Sequence, residues 1–205
     1  MSNLVERIHL MLYIQDELNS KLDPDWKHRN WNFRLAAQVE AYEALDHVGW
    51  KWWKYNTPDW EQARMELVDI WHFLLSEFIV QDTPAEYFAG YFTNLTIPSD
   101  LDKGKAIQAL ADYGRNTGCI RTVLEFTTMM EALGLSFEEL EKWYLGKYCL
   151  NKLRWSHGYA EGSYIKIWNG REDNEYLTEY LNSREAITIE ETSKYLEDIY
   201  TSIKH

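Results

Sequence analysis

Two acidic couplets, Glu40-x-x-Glu43 and Glu66-x-x-Asp69, sit inside strongly apolar helical stretches. Residues three apart on an α-helix share a face, about 5–6 Å between Cβ atoms, so each couplet can aim both carboxylates the same way. Two such helices facing each other would form the halves of a metal cup. Asp69 lies in Leu67-Val68-Asp69-Ile70-Trp71-His72-Phe73-Leu74-Leu75, apolar around almost the whole helix, which marks a core helix rather than a surface one. An unpaired carboxylate there is costly and asks for a cation. On the other helix, Ala36 and Ala37 precede Glu40 by one turn and suit close packing beside the acids. An all-carboxylate set fits Mg²⁺, with Mn²⁺ able to substitute, because zinc favours Cys or His and neither stands at ligand spacing beside the glutamates. Two other readings stay open on spacing alone: solvated acidic faces in a chain with 33 acidic residues, or burial against Arg34 or Arg64 in place of a metal.

A second cluster has the opposite sign. Lys147, Asn151, Lys152, Arg154, Lys166 and Arg171 gather in a chain that is acidic elsewhere. Lys147, Asn151 and Arg154 fall at i, i+4 and i+7, so two cations and an amide share one helix face, where they suit a polyphosphate. The alternative is that basic residues in a last helical turn only complement the helix dipole. The adjoining Gly158-Tyr159-Ala160-Glu161-Gly162-Ser163-Tyr164 to Gly170, rich in glycine, aromatic and hydroxyl residues, reads as an ordered functional loop. Acids on two helices and cations on a third element make a magnesium-nucleotide site the economical reading.

The elements that must position these residues are helical. Helical period dominates and strand-like alternation is scarce, so the fold class is all-α: a helical bundle whose rigid core helices carry the couplets, with a smaller mobile helical part. The first helix spans about 4–22, with Gln15 and Asn19 on one face. The second spans about 32–54. Thr57-Pro58 opens the third, which ends near Gln81. Three shorter helices fill 83–135, with Ser99 capping one and Gly114, Gly118 and Gly134 marking ends. Ser136-x-x-Glu139 is a capping box opening a helix over about 137–155, and Thr188-x-x-Glu191 opens the last, running towards Ile203. The 205 residues read as a single all-α catalytic domain, with 83–135 as a smaller lobe and 156–174 as the functional loop.

Composition excludes several classes. Hydrophobic residues make up 45% of the chain and there are ten Trp, enough for a substantial core. The net charge of −12 argues against nucleic acid or an anionic membrane as the main partner. Cys119 and Cys149 form no CxxC, so both are expected as free thiols in a reducing cytoplasm. No run of about 18 apolar residues occurs, and the N-terminus lacks a signal-peptide pattern.

Several segments, in order, resemble the all-α dimeric deoxyuridine triphosphatases (dUTPases), within the all-α nucleoside triphosphate pyrophosphohydrolases. They are Gln15-Asp16-Glu17-Leu18-Asn19, Glu40 to Asp46 with Trp50-Lys51-Trp52-Trp53-Lys54, Glu66 to Ser76, Lys147 to Arg154, and Gly158 to Asn174. The resemblance implies Mg²⁺ held by Glu40, Glu43, Glu66 and Asp69, with Glu43 also orienting and deprotonating the attacking water. It implies Lys147, Asn151, Arg154, Tyr159, Lys166 and Asp173 around sugar and triphosphate, and Gln15, Asn19, Trp53, His72 and Phe73 lining a base pocket. The implied reaction is hydrolysis of dUTP, and of dUDP if it is accepted, to dUMP with release of pyrophosphate or phosphate, by attack on the β-phosphorus. A homodimer is implied, and with it nucleotide-pool sanitation and dUMP supply. The segment 82–135 matches no motif of the family.

Three rival expectations remain: a pyrophosphohydrolase that also takes dCTP, a non-catalytic helical interaction module, and a di-iron bundle. The last expects Glu-x-x-His on paired helices, whereas only Asp69-x-x-His72 approaches that pattern.

Overall fold

The computed structural model describes residues 2–114 and 119–203. Its organising element is α3 (Trp60–Val80). The residues that are apolar around the whole helix, Leu67, Val68, Ile70, Trp71, Leu74, Leu75 and Phe78, are all buried. Such a helix needs partners on every side. α1 (Ser2–Leu22), α2 (Phe33–Val48) and α7 (Phe137–Ser156) surround it on the site side, and α4 (Ala85–Thr93) and α6 (Cys119–Leu133) cover the far side. Trp71 anchors the far side, stacked on Phe126 at 5.3 Å between centroids and edge-on to Phe88 and Phe92. One hydrophobic core therefore runs from α1 through α3 to α4, α6 and α7. α5 (Lys103–Asp112) packs on α2 and α6, while α8 (Asp173–Asn182) and α9 (Ile189–Ile203) pack on α7.

Local chemistry sets the ends of the couplet helices. Asn32 caps α2, its side chain accepting from Leu35 N, and α2 stops at Gly49, whose φ of 73° lies in the left-handed region. The expectation that α2 continues to 54 is thus corrected: the glycine cap ends it, and Trp50 to Lys54 form turns. α3 begins at Trp60 with Asp59 as its cap, accepting from Gln62 N, rather than at Thr57-Pro58. The Asp59 N–H donates to the His47 carbonyl at 2.9 Å and closes the connection. α2 and α3 so become an antiparallel pair with both couplets at the same level. In the α4–α6 region, Asp102 rather than Ser99 caps α5, accepting from Gly104 N and Lys105 N. Gly134 ends α6 with φ 66°, as expected. Gly118 and the Cys119 side chain lie outside the described residues.

The capping box of Ser136 with Glu139 is present, and ahead of α9 the Thr188 hydroxyl accepts from Glu191 N at 3.2 Å and donates to the Glu191 carboxylate at 3.0 Å. The loop after α7 is shorter than expected. It holds a two-residue hairpin, β1 (Ile167–Trp168) and β2 (Arg171–Glu172), joined by Asn169-Gly170. Both turn residues have positive φ, 48° and 85°, as a type I′ turn requires. α8 follows at once, beginning at Asp173 within the expected loop and running on through residues to which the sequence reading gave no element. Gly146 permits its approach to α7, since a Cβ there would lie 2.8 Å from Leu181 Cδ1.

Replacing Gly49 by alanine should strain the α2 cap, because the left-handed backbone disfavours a side chain and the new Cβ would fall 2.4 Å from Asn56 Oδ1. A loss of about 1–2 kcal/mol is expected, read as a fall in Tm of several degrees by calorimetry.

Candidate active site

α2 and α3 deliver the carboxylates. Oxygens of Glu40, Glu43 and Glu66 lie within 4.8 Å of one another, with Glu43 exposed and the other two half-buried. Desolvation first, and then the nearby charges of Asp69 and Glu43, push the Glu40 carboxyl up to about 7. Desolvation and Asp69 push Glu66 up to about 8. Both values stand far above the ordinary 4.5. Crowded, partly desolvated carboxylates of this kind repel one another and favour either a shared proton or a cation.

Asp69 has a different partner. Lys147 of α7, itself buried, donates from Nζ to Asp69 Oδ2 at 2.8 Å. The arginines weighed as counter-ions are engaged elsewhere, Arg34 Nε with Glu77 Oε1 at 2.5 Å and Arg64 Nε with the Leu133 carbonyl at 2.8 Å. The expectation that no histidine stands beside the glutamates is also corrected. His47, one turn beyond Glu43, brings Nε2 to 3.4 Å from Glu66 Oε1. The donor set remains dominated by hard carboxylate oxygens, which fits a hard divalent cation.

Arg154, about two turns further along α7 than Lys147, is held from behind. Asp173, at the first position of α8, is fully buried and accepts two hydrogen bonds from Arg154, from Nε on Oδ2 and from Nη2 on Oδ1, both at 2.8 Å. Its Oδ2 also accepts from the Tyr164 hydroxyl at 2.8 Å. A bidentate pair of this kind fixes the guanidinium plane as well as its charge. Arg154 further donates from Nη1 to Asn151 Oδ1 and lies over the Tyr159 ring.

These groups line one cleft with two compartments. The first, about 640 Å³, is walled by Glu40, Glu43, Glu66, Asp69, Lys147, Arg154, Tyr159 and Lys166. The second, about 440 Å³, is walled by Gln15, Asn19, His72, Phe73, Ser76, Asn151, Trp31, Phe33 and Trp155. Glu40, Asp69, Arg154 and Tyr159 border both. The second compartment carries a neutral polar network. His72 Nδ1 pairs with Gln15 Oε1 at 2.8 Å, Tyr144 donates to the same oxygen at 3.1 Å, and burial pushes the His72 imidazole down to about 4.

Two residues of the expected constellation stand apart. Asp173 lies behind Arg154 rather than on the cleft wall. Trp53 is 58% exposed in the α2–α3 connection, edge-on to Trp50 and Trp52, and borders neither compartment. The sequence reading missed one wall of the first compartment, made by Glu175, Thr178 and Glu179 of α8. Arg171 bonds to two of these, reaching Glu179 at 3.0 Å. A signal for that helix was present, because Glu172 and Glu175 form a capping box ahead of Tyr176, Leu177, Tyr180 and Leu181. Ser76 and Tyr144 were likewise unassigned.

The sequence model of the dUTPase family matches residues 7–159. The chain belongs to the all-α dUTPase family. The matched span contains both couplets, the α7 cations and every residue expected at the base, and it ends at Tyr159, ahead of Lys166, Asp173 and α8. Family membership makes the chain a hydrolase of the dUTP-cleaving class. No curated protein matches the sequence. Among the described residues no helix is long and apolar enough to cross a membrane.

The raised carboxyls have a measurable consequence. Between about 4.5 and 8, the metal-free folded chain holds more protons at Glu40 and Glu66 than the unfolded chain does. Stability therefore falls as pH rises through that window. A cation bound to the deprotonated set should reverse the trend, adding about 2.7 kcal/mol at a hundredfold excess over Kd. Thermal unfolding from pH 5 to 9, with chelator and with Mg²⁺, checks both directions.

Proposed function

We propose that this chain hydrolyses dUTP to dUMP and pyrophosphate, using Mg²⁺ held by Glu40, Glu43, Glu66 and Asp69. Mn²⁺ can substitute. The observation that carries the reading is the convergence of three mutually close carboxylates with Lys147, Arg154 and Lys166 on the walls of one compartment. Opposite charges are there sorted for the two parts of a metal-triphosphate substrate.

A divalent cation, when bound, contributes neutralisation of phosphate charge and a lowered pKa for water. The chain's own residues supply the rest. Glu43 is the exposed member of the cluster, so it can take the proton of the attacking water and release it to solvent. Arg154, with its plane fixed by Asp173, and Lys147 and Lys166 hold the triphosphate in line. Water adds its oxygen to the β-phosphorus, the bond from that phosphorus to the oxygen bridging it to the α-phosphorus breaks, and dUMP departs with that oxygen while pyrophosphate carries the new one. Tyr159 borders both compartments and Asn151 lies in the second beside Arg154, so the two suit the sugar. Gln15, Asn19, His72 and Phe73 receive the base, and polar groups buried there penalise a base that leaves them unpaired. The same arrangement accommodates dUDP with phosphate as the product. The assignment corresponds to nucleotide-pool sanitation and dUMP supply in the cytoplasm.

The proposal includes a homodimer. Leu35, Val39 and Tyr42 form an exposed apolar stripe at helical spacing on α2, and Trp52, Trp53 and Tyr55 are exposed in the connection after it. Exposed apolar surface of this kind supports burial against a second copy. Sedimentation should give a dimer for the natural chain and a monomer for Val39→Asp.

Glu43→Gln should abolish turnover while leaving the thermal transition in place. Product release from dUTP, dCTP, dTTP and UTP, with Mg²⁺ and with chelator, tests the whole reading. Release confined to dUTP and stopped by chelation is the expected result, equal use of dCTP would widen the substrate class, and no release from any of them would leave a helical binding module.

A further inference from the structure

The second compartment holds a hydrogen-bond chain that links Ser76 through Gln15 to His72. Ser76 Oγ lies 2.9 Å from the His72 carbonyl, 2.8 Å from Asn19 Nδ2 and 3.2 Å from Gln15 Nε2. Its single proton goes to the carbonyl one turn back, so the same oxygen accepts from both amides. Gln15 then points its NH₂ at Ser76 and at Asn19 Oδ1, 3.0 Å away, and its carbonyl oxygen at His72 Nδ1, 2.8 Å away. An amide oxygen only accepts, so the imidazole hydrogen sits on Nδ1. Nε2 is left as a bare lone pair, buried and without a partner among the described residues. An orphan of this kind costs stability unless a ligand completes it.

The opposite arrangement has its own advocate. Tyr144 has one proton for two acceptors, the Met11 carbonyl at 2.9 Å and Gln15 Oε1 at 3.1 Å. Turning the Gln15 amide round would give Tyr144 and His72 a donor and move the imidazole hydrogen to Nε2. It would also set the Gln15 carbonyl against Ser76 Oγ. Ser76 decides between the two.

We propose that Ser76 is a positioning residue that holds His72 in its Nδ1–H tautomer, so that Nε2 accepts from the imide N–H of uracil and rejects cytosine. Uracil carries a hydrogen at ring position 3, where cytosine carries a lone pair that would face the lone pair of Nε2. The inference rests on the dUTPase reading of the cleft, but its first half is a property of the free protein.

The test pairs ¹⁵N NMR of the His72 side chain in the ligand-free protein with kcat/KM for dUTP and dCTP in the presence of Mg²⁺. The natural chain should show the Nδ1–H tautomer. Ser76→Ala should shift the population towards Nε2–H and lower the dUTP-to-dCTP preference at least about 10-fold, and Ser76→Thr, which keeps the hydroxyl, should restore both. Tyr144→Phe removes the competing group and should keep both the tautomer and the preference. An Nε2–H tautomer in the natural chain, an unchanged tautomer in Ser76→Ala, or a switched tautomer in Tyr144→Phe would overturn the role of Ser76. A tautomer shift with no change in preference would overturn the selection of uracil. Absence of hydrolysis by the natural chain would end the dUTPase reading and base selection together, while the NMR result would still decide whether Ser76 sets the tautomer.

Discussion

Mutual repulsion among carboxylates wedged between α2 and α3 is the constraint on which the rest of this structure depends. Helix packing holds Glu40, Glu43 and Glu66 together, and burial denies two of them the water that would screen them. Such a cluster is stable only if the surrounding elements are rigid enough to hold it and if charge of the other sign is close. α3 meets the first need with a helix buried nearly all round, and the short α2–α3 connection, fixed by the Gly49 cap and the Asp59 to His47 bond, sets the level of one couplet against the other. Lys147 meets part of the second need at Asp69.

α7 is the counterpart of the acidic pair. It brings Lys147, Asn151 and Arg154 to the cleft on one face, with Leu140 and Tyr144 buried on the turns before them and Leu150 and Leu153 buried beside them. Burying a guanidinium is costly unless its donors are satisfied. The Asp173 carboxylate, itself fully buried, satisfies two of them and ties α7 to the start of α8. The hairpin between the two helices is therefore a structural part of the site as well as its cover, since its tight Asn169-Gly170 turn delivers Asp173 to that position.

The cleft is divided by chemistry rather than by a wall. One compartment is charged and open, with acids on one side and cations on the other. Its neighbour is neutral, with amides, a hydroxyl, an uncharged imidazole and aromatic rings. Charge in the first is suited to a ligand that carries charge, and fixed hydrogen-bond polarity in the second is suited to telling similar neutral groups apart.

Much of this was legible along the chain, because helices repeat every 3.6 residues and carry their functional groups at fixed offsets. The couplets, the Lys147, Asn151 and Arg154 face, and the shared face of Gln15 and Asn19 are all local patterns, and a helix preserves them in space. The all-α class and the Ser136 capping box followed for the same reason. Residues related only through tertiary contact were not legible. The pairing of Asp69 with Lys147 spans 78 residues, that of His72 with Gln15 spans 57, and His47 reaches Glu66 only because the connection folds α3 back on α2. Asp173 was visible as an acidic residue, but its burial behind Arg154 depends on the hairpin and α8 closing over α7. The sequence by itself determined which groups each helix would present. The tertiary structure decided which of them meet, which carboxylates lose water, and which way a buried amide must point, since those depend on distances between elements that no local pattern records.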